Sequence, residues 1–218
     1  MLGNVAIFGG LLFLPTRNLS WWRAWVFLGV VLVGATASTV SVRRASRALL
    51  EERFKSPVQE GQPLADKIIV ILLIAAFVGV IAFIPLDVFR LHLMARPNRF
   101  VSSAGLILFV AGWWVMTLAL RAKPFAALVV KHQEDRRQVA IDSGLYSLVR
   151  HPMYAGAVML FVGMPLWLES YAATILAGIP GGLLVLRIHI EERFLRRELP
   201  GYDVYARRVR YRLIPRLW

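Results

Sequence analysis

The chain contains no cysteine, which excludes disulfides, thiolate nucleophiles and cysteine metal sites. Charge is also scarce. Only 18% of residues are Asp, Glu, Lys or Arg, where a soluble globular domain carries roughly 25%. Acids are the rarest charged class, 13 against 26 basic residues in 218, for a formal net charge of +13. No GxGxxG, no GxxxxGKS/T loop, no GxSxG elbow and no HExxH pair occurs in the chain. Soluble dinucleotide folds, P-loop enzymes, serine hydrolases of the elbow type and zincins are thereby set aside. His92, His132 and His189 are scattered and have no metal-ligand spacing.

What is present is apolar: 58% of residues are hydrophobic and the mean hydropathy is +0.60. So little polar surface cannot cover a water-facing sphere, so most of the chain must be solvated by lipid. Three charge-free runs, Ala24–Val42, Ile68–Leu86 and Val101–Leu120, have the length of about 20 residues that a spanning helix needs. The opening run, residues 2–15, is shorter and fits a thin span, a tilted one or an interfacial segment. No basic residue precedes it, so it lacks the positive start of a cleaved signal peptide. Trp21, Trp22 and Trp25 sit where an interfacial aromatic belt belongs.

The stretch Ala155–Leu186 carries one charge, Glu169, at its centre. It is too long for one span and too short for two, and predicts a helical hairpin turning at Glu169–Ser170, its arms bent by Pro165 and Pro180. The fold class is therefore all-α, a polytopic membrane protein with about five to six transmembrane segments. It reads as one integrated membrane domain, with amino-terminal spans over 1–120 and a distinct carboxy-terminal region over 121–218.

Of the 26 basic residues, 21 lie in 43–67, 121–154 and 187–218. Alternate loops thus carry the positive charge, which orients them to the cytoplasm; a bacterial inner membrane is the expected location. A charge of +13 also suits nucleic acid, but no basic helix is interleaved with aromatic stacking residues. The expected surroundings are membrane lipids, with no nucleic acid. Functional groups concentrate at the cytoplasmic ends of the last three segments, so chemistry is expected there.

Two constellations stand out. In Ser143-Gly144-Leu145-Tyr146 followed by Arg150-His151-Pro152-Met153-Tyr154, Gly144 suits a tight turn and Pro152 the first turn of a helix. A helix start there would attract a carboxylate, and Tyr146 and Tyr154 could face a cation. The same residues also fit interface anchors. In Arg187-x-x-x-Glu191-Glu192, Arg187 and Glu191 share one helix face. They fit a ligand site or an ordinary interfacial ion pair.

GLYSLVRHPMYAG, then EERFLRRELPGYDVYARRVRYRLIP, resembles the isoprenylcysteine carboxyl methyltransferase family, including bacterial homologues. The likeness covers about residues 121–218. It implies a membrane-embedded methyltransferase using S-adenosylmethionine, with a lipophilic small molecule or lipidated substrate as acceptor. It further implies cofactor contacts from Tyr146, His151, Pro152, Met153, Tyr154 and Glu191. Gln138, Val139, Ala140 and Ile141 would line the same site, with Gln133 upstream of them, and Arg187 would face the acceptor as the catalytic residue; no metal is implied. The chain departs from the pattern at Gln138, where His is frequent, and at Pro200, where an aromatic is usual; the acidic pair after Gly201 is also missing. The acceptor's identity is left open by these differences. Two other functions compete: a membrane reductase using NADPH, and a non-catalytic transport or assembly protein.

Overall fold

Among the described residues, four helices are long and apolar enough to cross a membrane: Trp22–Ala45, Leu64–Leu91, Arg99–Ala122 and Tyr171–Glu198. The structure, a computed structural model, describes residues 2–45, 63–122 and 143–218. In chain order its elements are α1 (Leu2–Phe13), α2 (Trp22–Ala45), α3 (Leu64–Leu86), a π turn (Asp87–Leu91) and α4 (Arg99–Ala122). A 3-10 turn (Gly144–Ser147) follows, then α5 (Pro152–Trp167), α6 (Tyr171–Leu176), α7 (Gly178–Glu198) and α8 (Tyr202–Arg208). Among the described residues there is no strand.

The three predicted spans fall within α2, α3 and α4. The opening run forms only the 12-residue α1, about 18 Å at 1.5 Å per residue, too short to cross unaided. The hairpin turns where expected. Glu169 takes a positive φ of 68°, and the Ser170 hydroxyl caps α6 by accepting the Ala173 N–H at 2.9 Å, as serine does at helix starts. Its two arms differ in length, however. The first, α5, has 16 residues; the return arm, Tyr171–Glu198, has 28. The extra turns come from the polar run beyond Leu186, which continues the helix and carries Arg187, Glu191 and Glu192 on α7.

Without a hydrophobic drive between helices in lipid, close backbone approach holds spans together. The tightest seam is α4 against α5. Gly105 and Gly112 on α4 meet Gly163 and Gly156 on α5, each pair seven residues, or two turns, apart. A Cβ placed on Gly112 would lie 2.6 Å from the Gly156 oxygen, and one on Gly163 2.6 Å from the Gly105 oxygen. Elsewhere aromatic rings are set among aliphatic side chains in the core. Phe27 of α2 packs against Phe8 of α1 and Phe109 of α4, with ring centroids 5.8 and 5.0 Å away. The outer faces remain apolar, as Ile68, Ile71 and Ile74 of α3 show. That is the surface lipid requires.

The end of the molecule holding the hairpin turn is closed by paired polar groups. Pro85 cannot donate a helical hydrogen bond, and α3 widens into the π turn, closed by the His92 N–H on the Asp87 oxygen at 2.8 Å. The Asp87 carboxylate accepts the Ser170 hydroxyl at 2.6 Å and the Leu93 N–H at 3.0 Å. Arg23 pairs with Glu169 at 3.2 Å, between the rings of Trp22 and Trp167 at 4.9 and 4.7 Å. These contacts tie the turn to α2 and α3.

Candidate functional site

At the opposite end, the approach to α5 is shaped by its local sequence. Gly144 has φ +59°, a left-handed conformation natural to glycine, and the Ser147 hydroxyl donates to its carbonyl at 2.7 Å. The 3-10 turn so formed buries Tyr146. Pro152 occupies the first turn of α5, with Met153, half-buried, beside it. Just before it, the Arg150 and His151 N–H groups donate to the carbonyls of Tyr211 and Arg212, both at 2.9 Å. From α8, the Tyr205 hydroxyl donates to the Tyr146 carbonyl at 2.9 Å. The carboxy-terminal segment thus forms one wall of the α5 start.

Glu192 of α7 is the charged hub. Its carboxylate lies 3.2 Å from His151 Nε2, 3.2 Å from Arg150 Nε and 3.1 Å from Arg212 Nε. The Arg150 contact is an ion pair without hydrogen-bond alignment. One turn of α5 further on, Tyr154 lies parallel to the His151 ring, centroids 5.5 Å apart, and its hydroxyl donates to Glu191 at 2.6 Å. The Arg187 guanidinium stands 5.7 Å from the Tyr154 ring centre. Its Nε donates to Asp66 at 3.1 Å. Asp66 lies in the first turn of α3 and is fully buried.

Three buried phenols at this end, Tyr146, Tyr202 and Tyr205, are neutral at physiological pH. Burial, reinforced by Glu191, pushes the Tyr146 hydroxyl well up, and burial likewise raises Tyr202. Tyr205 is pushed up to about 12, chiefly by burial, with Arg150 opposing the rise and Glu192 adding to it. Held neutral, these hydroxyls do not serve as bases near neutrality. Among the described residues, no three His, Asp or Glu side chains converge as a metal site.

The structure therefore brings Tyr146, His151, Pro152, Met153, Tyr154, Arg187 and Glu191 to one end of the hairpin. Gln133, Gln138, Val139, Ala140 and Ile141 lie outside the described residues. Two details differ from the sequence expectation. The site is not confined to the last three segments, because α3 supplies Asp66 as a partner of Arg187. The His151 ring is engaged by Glu192, so the second glutamate of the pair anchors the RHPMY segment while the first faces Tyr154. Sequence spacing missed Asp66, Glu192, Arg150 and Arg212 as partners. One signal was present for Asp66: with Lys67 it forms the last charged pair before a charge-free run, which places it inside a helix start rather than in a loop.

Residues 100–200 match the family model for phospholipid methyltransferase. The match covers 101 of the 218 residues. That region takes in α4 as well as the hairpin, starting about twenty residues earlier than the motifs alone indicate. Over 119 residues, half of this chain and 59% of the relative, it is 33% identical to a probable protein-S-isoprenylcysteine O-methyltransferase of Oryza sativa, in both the indica and japonica subspecies. Over 103 residues, 47% of each chain, it is 31% identical to the cobalt-zinc-cadmium resistance protein CzcN of Cupriavidus metallidurans. The chain spans about half the length of the curated relatives it matches. The matched region therefore includes the whole α4–α5 seam and most of the polar end.

Proposed function

We propose that the protein is an integral membrane methyltransferase that uses S-adenosylmethionine to methylate a lipophilic or membrane-delivered acceptor, its site facing the cytoplasm of a bacterial inner membrane. One observation carries this reading: the RHPMY start of α5 and the EE pair of α7, both inside the matched region, meet through Tyr154–Glu191 and His151–Glu192. The donor set suits the cofactor. Glu191 is a half-buried carboxylate beside aromatic rings, able to accept from an ammonium group or ribose hydroxyls. The α5 start suits a carboxylate. S-adenosylmethionine, when bound, supplies a methyl group activated by a sulfonium cation.

The protein's own part is alignment. Tyr146, Tyr154 and Glu191 would hold the cofactor against α5. His151, fixed by Glu192, would set the helix start with Pro152 and Met153, and residues Gln133 and Gln138–Ile141 would complete the lining. Arg187, nearer the middle of the bilayer, would orient the acceptor. Holding two reactants in near-attack geometry supplies roughly 7–11 kcal/mol of a barrier, and an acceptor that is already anionic needs no general base. Both relevant names, phospholipid and isoprenylcysteine methyltransferase, describe acceptors carried on lipid chains.

Equilibrium binding to detergent-solubilised protein tests the reading. Labelled S-adenosylmethionine should bind saturably and NADPH should not. Glu191→Gln should weaken that binding about ten- to a hundredfold, the loss of one charge-assisted contact, with thermal stability retained. Binding of NADPH alone would favour a reductase, and binding of neither a non-catalytic protein. Orientation is checked separately: reporters fused after Arg210 and near Gln133 should both score cytoplasmic, and an external signal at either would reverse the site's sidedness.

A further inference from the structure

Arg187 and Asp66 are 121 positions apart in sequence and both buried, with 8% and 0% of their side chains exposed. Asp66 lies outside the matched region, which starts at residue 100. From this pair we infer that Asp66 is a positioning residue for methyl transfer: it aims Arg187 at the acceptor, so the acceptor site is completed by the amino-terminal half of the chain. The inference rests on the methyltransferase reading above.

The physical case has three parts. Arginine is long and rotamer-rich, and loses little entropy per bond only when its planar fork is pre-organised. Here the fork is fixed from two sides. Asp66 takes the Nε edge at 3.1 Å, and the Tyr154 ring stands 5.7 Å from the guanidinium carbon. A contact at Nε sets the plane in which the two outer nitrogens lie, and so the direction from which a bidentate partner is met. Second, three helices meet at this guanidinium: α3 through Asp66, α5 through Tyr154 and α7 through Arg187 itself. Its aim therefore depends on how α3 sits against α7, not on the hairpin alone. Third, the pair contributes no net charge. An anionic acceptor would gain orientation from Arg187 more than attraction.

That charge balance gives the inference a kinetic signature that a merely structural ion pair would not produce. Asp66→Asn keeps the shape, removes the counter-charge and loosens the aim. The turnover number should fall roughly ten- to a hundredfold, the scale of a misplacement of about 1 Å. KM for an anionic acceptor should hold steady or drop, because Arg187 then loses one of its counter-charges. Affinity for S-adenosylmethionine should change by less than about threefold. Asp66→Glu, which restores the charge on a longer arm, should recover part of the turnover.

The experiment uses the full chain in detergent with two acceptor probes in mixed micelles: N-acetyl-S-farnesylcysteine, which is anionic, and phosphatidylethanolamine, which is zwitterionic. Methyl transfer, cofactor affinity and thermal unfolding are measured for the parent, Asp66→Asn, Asp66→Glu, Arg187→Lys and the Asp66→Asn/Arg187→Lys double variant. The expected result is a loss in turnover shared by Asp66→Asn and Arg187→Lys and not multiplied in the double variant, with KM for the anionic probe unchanged or lower. Parent-like turnover in Asp66→Asn, strictly multiplicative losses, or a loss that follows cofactor affinity and stability alone would overturn the role of Asp66 while leaving the methyltransferase reading intact. A parent that binds no S-adenosylmethionine, or methylates neither probe, sinks both.

Discussion

Gly112→Val should leave little folded protein, and whatever folds should unfold at a markedly lower temperature. The reason is the nature of the obstacle. A Cβ on Gly112 would meet the Gly156 carbonyl at 2.6 Å and the Leu160 nitrogen at 3.1 Å. Backbone atoms cannot turn aside as a flexible side chain can. The two helices must separate along a seam that carries both the fold and the start of α5. Overpacking costs about 1–3 kcal/mol where side chains yield, and more where they cannot; in a chain of this size 3 kcal/mol is roughly 6–12 °C in Tm. Gly79→Ala in α3 is the control, because a Cβ there meets nothing within 4 Å, and Ala in an open helix position is favoured by roughly 0.5–1 kcal/mol. Thermal unfolding in detergent, followed by size-exclusion recovery, compares the two. A Gly112→Val variant as stable as the parent would mean that the seam is not close-packed.

The second large effect is at Glu192. Glu192→Ala should cost about 3–5 kcal/mol in stability, because it strands buried Arg150 and partly buried Arg212 without their shared carboxylate. It should also abolish cofactor binding, since His151 loses the contact that fixes it beside Tyr154. Glu191→Gln makes the contrast. Both glutamates are on α7, one residue apart and so turned to different faces: Glu191 meets the Tyr154 hydroxyl, Glu192 the arginine cluster. One substitution should lower affinity while stability holds, and the other should lower both. If the two variants gave the same pattern, the division between a ligand-facing and an anchoring carboxylate would be lost.

Much of this architecture was legible in the sequence because lipid imposes a simple rule. Backbone groups in hydrocarbon must be satisfied within a helix, so uninterrupted apolar runs mark spans, and Ala24–Val42, Ile68–Leu86 and Val101–Leu120 each fall inside one. Glu169 was legible as the hairpin turn for a related reason: a lone charge in a 32-residue apolar stretch has few places to go. The extent of α7 was not legible, because apolarity stops at Leu186 while helix hydrogen bonding continues through Arg187 to Glu198. The seam glycines give no local signal that distinguishes them from Gly29 or Gly79; only the facing helix does. At the polar end, RHPMY and EE announced themselves by spacing. Which glutamate would meet which partner depends on helix rotation, and the Asp66–Arg187 pair depends on a contact across 121 positions that no window along the chain contains.

The shortness of α5 has a consequence for the membrane itself. Its 16 residues extend about 24 Å, against a hydrocarbon thickness of about 30 Å. Leu166 and Trp167 sit beside Gly105 of α4, six residues inside that helix, so about 9 Å of α4 rises beyond the contact. The hairpin turn, with Arg23 and Glu169, is therefore recessed below the rim of its neighbour. Such a mismatch is relieved by thinning the bilayer on one side or by tilting the helices, at fractions of a kcal/mol per Å. Lengthening the surrounding acyl chains would deepen the dimple above the turn.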